Sequence, residues 1–378
     1  MCATHLGQAQ VRSYLVRFTD KNGSTFSVNR PQEFLSQRAI DRRMRQNIPV
    51  LERDLPVNQA YINQIRQAGA KVIYATRWLN AALIEADQTT LNKVNALTFV
   101  RKDNTVRLNL VNTPNETPIT KSEKEPTNAR VEENYGVSFQ QFGLLGIDKM
   151  HDDGFRGENM HIAVIDGGFT NANTNPLFRQ TKILGTYNFP RNIADVYNNI
   201  TDTHGTRVLS LLAAFQDGQL VGSAYKASFY LFATENDNGN IENKVEEANW
   251  IFAAERSDSL GVDIITTSLG YTTFDDASLN YTINDLDGKT ALISQAAAIA
   301  VRTGMIVIKS AGNYGSRAWQ RVTFPGDVDS VLTVGSVDSN RDYVSSSSRG
   351  RTKDGRIKPD VVAMGQNAVV GFPLGNIA

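Results

Sequence analysis

The sequence predicts an α/β protein: a mostly parallel sheet with helices on both faces, preceded by a small α/β domain. Three observations carry this. After Tyr135 the chain alternates short apolar runs with segments of helix length, the pattern of a parallel sheet covered on both sides. Before Asp103, shorter strand and helix patterns suffice for one compact unit. Between them, Pro114, Pro118 and Pro126 interrupt a polar stretch with no periodicity, the composition of a linker where proteases cut. The domains follow as residues 11–102, a linker with a processing site over 103–135, and a larger domain over 136–378.

In the first unit, Val11 to Asp20 has the β-branched, aromatic alternation of a strand. Pro31 is expected to open a helix running to about Gln46 with Asn29 as its cap, and a second helix should cover Asn58 to Gln67 and stop at Gly69. Lys71–Tyr74 and Trp78–Ala86 are expected to pair as strands, with a helix over Gln88–Asn95 and a last strand over Leu97–Lys102. Arg38, Arg42, Arg43 and Arg45 fall on a helical pattern with Phe34, Leu35, Ile40 and Met44. They are expected to form a solvated face, a docking surface being the other reading.

In the second unit the strand candidates are Ile162–Ile165, Ser228–Phe232, Ile264–Ser268, Met305–Lys309 and Val331–Val334. The helix candidates are Gly205–Ala214, Glu242–Ser257 closed by Gly261, and Ala291–Thr303 closed by Gly304.

A net charge of zero gives no electrostatic reason for a nucleic-acid partner. No segment approaches the ~18 apolar residues of a membrane span. Cys2 is the only cysteine, so neither a disulfide framework nor a thiolate cluster is available. His5, His151, His161 and His204 lack metal-ligand spacing, and Asn236-Asp237-Asn238-Gly239 resembles a turn more than a calcium loop. No cofactor fingerprint is present and none is expected to be required; a structural calcium held by irregular loops is the alternative left open, with no motif behind it. Residues 1–10 carry small residues near their end, resembling the tail of a clipped signal peptide.

Chemistry concentrates in a few places. Asp166 ends the apolar run I-A-V-I and precedes Gly167-Gly168, the strand end where open α/β sheets place their sites. His204, 38 positions later, stands at the start of the helix H-G-T-R-V-L-S-L-L. An aspartate that fixes the tautomer of a histidine, and a histidine that takes a hydroxyl proton, are two members of an acyl-transfer triad. Alone, each has a plainer reading as a turn or helix-start residue. Asn313, in K-S-A-G-N-Y-G, follows a buried strand and can donate to an oxyanion, or can simply be a turn asparagine tolerating a left-handed conformation. Ser268-Leu269-Gly270 follows I-I-T-T and offers a main-chain edge to an extended peptide, or is an ordinary strand end.

Together these residues resemble the subtilisin-like (subtilase, S8-type) serine peptidases. Asp166 in I-A-V-I-D-G-G, His204 in T-H-G-T-R-V, Asn313 in S-A-G-N-Y-G, and Ser268-Leu269-Gly270 match that family's motifs in its order. The F-P-G, V-L-T-V-G-S-V-D and K-P-D-V-V-A stretches match as well. The resemblance implies a secreted or cell-surface bacterial endopeptidase acting on peptides or proteins. It implies catalytic roles for Asp166 and His204, an oxyanion role for Asn313, and a substrate strand at 268–270 beside the first specificity pocket. More loosely, the N-terminal unit resembles the propeptide that serves such enzymes as folding chaperone and temporary inhibitor. Arg207 stands where the family often has His, and Met364 where it usually has Pro. The family's Gly-Thr-Ser nucleophile motif occurs nowhere in the 378 residues. The resemblance therefore implies that the serine belongs to a segment beyond Ala378 and that these residues alone are inactive. The alternative is a non-catalytic binding or chaperone protein that keeps the cleft without its nucleophile.

Overall fold

The computed structural model describes residues 10–102, 105–110, 133–198, 200–236 and 242–378. Most of residues 1–10, most of the linker and residues 237–239 of the polar turn lie outside them.

The N-terminal unit comprises β1 (Arg12–Arg17), α1 (Gln37–Arg45), α2 (Gln59–Gln67), β2 (Lys71–Thr76), β3 (Ala81–Ala86), α3 (Gln88–Asn95) and β4 (Val106–Leu110). Its strands form an antiparallel sheet in the order β2-β3-β1-β4. Val16, Ile84, Ile62, Ile65, Leu91 and Val94 make a core between that sheet and the pair α2 and α3. Both helices begin where the sequence places a cap: Asn58 accepts from the Ala60 N–H, and Asp87 from the Thr90 N–H.

Three expectations change here. Pro31 opens only a 3₁₀ turn, Pro31–Glu33, and α1 starts later, where Ser36 accepts from the Ala39 N–H. Phe99 and Val100 are buried, but Val100 reaches the sheet only through an isolated bridge to Phe18. The last strand is β4, inside the stretch assigned to the linker. Its alternation of Val106, Leu108 and Leu110 with Arg107 and Asn109 was the overlooked signal.

The third correction concerns the arginines. Arg42 and Arg43 are 1% and 2% exposed, so the helix face they share is no solvated face. It docks on the larger domain, where the wholly buried Asp258 receives Arg42, Arg43 (2.8 Å) and Arg77 (2.6 Å). Arg43 also pairs with Asp54, and Arg38 with Asp263. Next to this cluster, Glu255 accepts from the backbone N–H groups of Arg77 (3.1 Å) and Trp78 (3.0 Å) and from the Thr76 hydroxyl. Buried charges persist only when paired and hydrogen-bonded, and here the pairing crosses from one domain to the other.

The larger domain runs α4 (Phe139–Gly143), α5 (Ile147–Asp152), β5 (His161–Asp166), β6 (Lys182–Asn188), α6 (His204–Ala213), the short pair β7 (Phe215–Gln216) and β8 (Leu220–Val221), β9 (Ser228–Ala233), α7 (Val245–Leu260) and β10 (Ile264–Thr267). It continues with α8 (Leu292–Arg302), β11 (Ile306–Ser310), β12 (Leu332–Val337), the short pair β13 (Gly350–Arg351) and β14 (Ile357–Lys358), and β15 (Val361–Met364). Seven strands form a wholly parallel sheet in the order β15-β12-β11-β10-β5-β9-β6. Both faces are covered: Ala163 and Ile165 of β5 join the core under α7 and α8, while Ile162 and Val164 join the one under α6. From β5 the chain first builds β6 and β9 on one side, then β10 to β15 on the other. The switch point thus lies between β5 and β10, where a doubly wound sheet opens a crevice at its carboxyl edge.

Candidate active site

Asp166 is the last residue of β5, fully buried, and His204 is the first residue of α6. His204 Nδ1 lies 2.7 Å from Asp166 Oδ1, which also accepts from the Gly167 N–H at 2.8 Å. Asp166 Oδ2 is buried without a hydrogen-bond partner, so the carboxyl is held through Oδ1 alone, by His204 and the Gly167 N–H. The His204 N–H donates to Asp202 Oδ1 at 2.7 Å, and Thr170 Oγ1 ties the same loop at the Asp202 carbonyl. Strand end and helix start can meet because position 205 is glycine: a Cβ there would fall 2.3 Å from the Gly168 carbonyl oxygen and 3.0 Å from Asp166 Cβ.

The hydrogen bond to Asp166 raises the His204 pKa above its usual 6.5. The charges of Asp166 and Asp202 add to that, and burial opposes it. The side chain is 41% exposed, and among the described residues nothing hydrogen-bonds its Nε2. One nitrogen is anchored and the other faces outward, the arrangement a general base needs.

The other sequence-marked residues follow the neighbouring strands of the same sheet. Ser268, Leu269 and Gly270 continue from β10, and Gly312 and Asn313 follow β11. The two segments are drawn together by Thr323, which contacts the Cβ positions of both Gly270 and Gly312. Asn313 is exposed, and the positive φ of its turn belongs to Gly312 (φ 102), not to the asparagine. The reading of Asn313 as a left-handed turn residue therefore falls. In the run Ser345–Ser348, Ser347 and Ser348 are buried, with hydroxyls that accept from the Ser336 and Tyr314 N–H groups at 2.9 Å, so both are engaged structurally.

A group of acids beside the site escaped the sequence reading. Directly after β9, Thr234 donates its N–H to the Asp166 carbonyl, and Glu235 accepts from the Tyr271 hydroxyl at 2.6 Å. Oxygens of Glu235, Glu242 and Glu246 lie within 4.8 Å of one another, the one such convergence of potential metal ligands among the described residues. Glu246 is already held by the Asn236 and Asn243 N–H groups, both at 2.9 Å. Burial pushes Glu235 up to about 8 and Glu242 up to about 7. The acids are scattered through a polar loop and a helix start, so no sequence spacing announced them.

A parallel sheet with an Asp–His pair at its carboxyl edge, and with 268–270 and the exposed Asn313 leaving neighbouring strands, makes this a doubly wound α/β protein. The comparisons place the chain within that class. The model of the Subtilase family matches residues 157–376, and that of the Peptidase S8 propeptide domain, Bacteroidota, matches residues 13–125. The chain belongs to the subtilase family. It is 30% identical to Subtilisin DY of Bacillus licheniformis over 209 residues, 55% of this chain and 67% of that protein. It is 28% identical to Subtilisin E of Bacillus subtilis over 251 residues, 64% of this chain and 59% of that protein. Among solved structures, an epidermin leader peptide processing serine protease from Staphylococcus aureus shares the fold with TM-score 0.61. That match has 15% identity and covers 98% of this chain and 84% of the other. No described helix is long and apolar enough to cross a membrane.

Proposed function

We propose that this chain is the zymogen part of a secreted bacterial serine endopeptidase whose nucleophilic serine is contributed by residues that follow Ala378. The observation that carries the reading is the 2.7 Å bond between His204 Nδ1 and Asp166 Oδ1, with Nε2 left outward. A peptide would pair with the edge at 268–270. His204 Nε2 would take the serine proton as Oγ attacks the carbonyl, and Asn313 Nδ2 would donate to the oxyanion. The leaving amine takes the proton back, and water then hydrolyses the acyl-enzyme. These steps use protein groups alone. The N-terminal domain, bound through the Asp258 and Glu255 contacts, would act as folding template and intramolecular inhibitor until cleaved from the rest.

Determining the intact mass and end sequences of the secreted product tests the proposal. A product that extends past Ala378, has lost the N-terminal domain and reacts with a fluorophosphonate supports it. A product ending at Ala378 with that domain attached would instead support a protein whose cleft only binds.

Two further outcomes are expected of the extended product. Asn313→Ala should lower kcat by about 10²–10³ with KM little changed, because the amide acts on charge that develops only in the transition state. Equal losses in folding yield and KM would assign Asn313 a structural role. The base must be neutral, and its pKa is raised, so activity should be lost as pH falls through a value above 6.5. In Asp166→Asn the acid limb of kcat/KM should move down. A limb unmoved by that substitution would remove His204 from the proton transfer.

A further inference from the structure

Lys309 is a lysine in the interior of a parallel sheet. It lies on β11 in the apolar run M-I-V-I-K, is 1% exposed, and forms no ion pair among the described residues. Its ammonium has three donors, and the hydrogen bond it makes is to the Thr323 hydroxyl. The acid whose charge reaches it, Asp327, already accepts from Ser294 Oγ at 2.6 Å and the Gly288 N–H at 2.7 Å. Burial holds the lysine pKa down at about 7. A buried ammonium with one hydrogen bond and no ion pair among the described residues is costly.

Its position gives the cost a use. The segments at 268–270 and 312–313 leave the carboxyl ends of adjacent strands and face each other across Thr323. At their facing positions both are glycine. A Cβ on Gly270 would fall 2.6 Å from Lys309 Nζ and 2.2 Å from Thr323 Oγ1, and one on Gly312 would fall 2.9 Å from the same hydroxyl. Two side-chain-free backbone walls thus close directly on Thr323 and the ammonium. Any side chain on Gly270 would collide with both groups. A peptide paired on 268–270 with its reacting carbonyl at Asn313 would send the side chain of that residue between these walls.

We infer that Lys309 is a specificity-determining residue that, with Thr323, selects aspartate or glutamate immediately before the scissile bond. The inference rests on the proposed peptidase reading. A carboxylate reaching the ammonium between these walls supplies the missing counter-charge and acceptors, whereas an apolar side chain would leave the ammonium desolvated and unpaired. Failing to pair a buried charge typically costs a factor of about 10² or more.

The test is a profile of the extended, matured product on peptides that differ only at the residue before the cut, with a fluorophosphonate label counting active sites. The expected result is kcat/KM higher by about 10²-fold for Glu or Asp than for Leu or Phe. In Lys309→Met the order should reverse, with turnover of the Leu peptide kept or increased. A lysine that merely supports the fold would lower all peptides in parallel. Should Lys309→Met not fold, the wild-type profile decides alone. A labelled enzyme that prefers apolar residues overturns the lysine assignment and leaves the peptidase reading intact. A product with neither label nor cleavage overturns that reading, and the assignment falls with it.

Discussion

Replacing His204 by alanine in the extended product is expected to lower kcat by about a millionfold, the loss that follows removal of the histidine from such a triad in subtilisin. Without the imidazole nothing takes the serine proton, and what remains is binding and the oxyanion donors. Asp166→Asn should cost about 10⁴, because an amide can hold the ring only in the wrong tautomer and cannot stabilise an imidazolium. Both substitutions should also leave the N-terminal domain uncleaved if maturation is self-catalysed. Rapid-quench turnover of an activated peptide ester, with gel analysis of processing, reads both effects. Activity within tenfold of the parent in His204→Ala would place the chemistry elsewhere. The substitutions act on one pair, so their effects should not add.

Asp258→Ala is expected to weaken docking of the N-terminal domain by about 3–5 kcal/mol, the usual result of removing one partner from a buried ion cluster. The carboxylate is wholly buried and faces three guanidinium groups. Its loss leaves Arg42 with the backbone carbonyls of Val262 and Thr303, and Arg77 with those of Glu255 and with Ser259. Like charges would then crowd a buried space. The comparison is Arg107→Ala, which breaks the cross-domain pair with Asp276. Both of those side chains are about one-third exposed, and such pairs are worth about 0–1 kcal/mol. Urea titration of the 378-residue chain, following its first transition by tryptophan fluorescence, measures the difference. Equal shifts in the two variants would show that the buried cluster does not hold the domains together.

The buried arginines show why part of the interface was illegible. On the local pattern of α1, four arginines beside apolar residues look like a wet surface, since Arg is rarely buried unless paired. The partner that pairs them, Asp258, lies more than two hundred positions away on α7. That helix is buried nearly all round, with Ala248, Ile251 and Ala254 in the core and Glu255 and Asp258 turned to the other domain. Lys309 was hidden differently. Its strand was legible and the lysine was visible in it, but a lysine in an apolar run has no meaning until Gly270, Gly312 and Thr323 surround it.

By itself the sequence determined the elements whose signals are local. These are the helices over Asn58–Gln67 and Gln88–Asn95, the helix stops at Gly261 and Gly304, the apolar runs that became parallel strands, and the Asp166 and His204 signatures with their glycines. Local stereochemistry and periodicity act within a few residues, so they survive without a structure. Only the tertiary structure decided which charges were buried and what faced them: Asp258 beneath three arginines, Glu235 among acids and under Tyr271, Lys309 beside Thr323 and against Gly270. Burial and electrostatics depend on distances between residues far apart in the chain, and only the folded packing sets those distances.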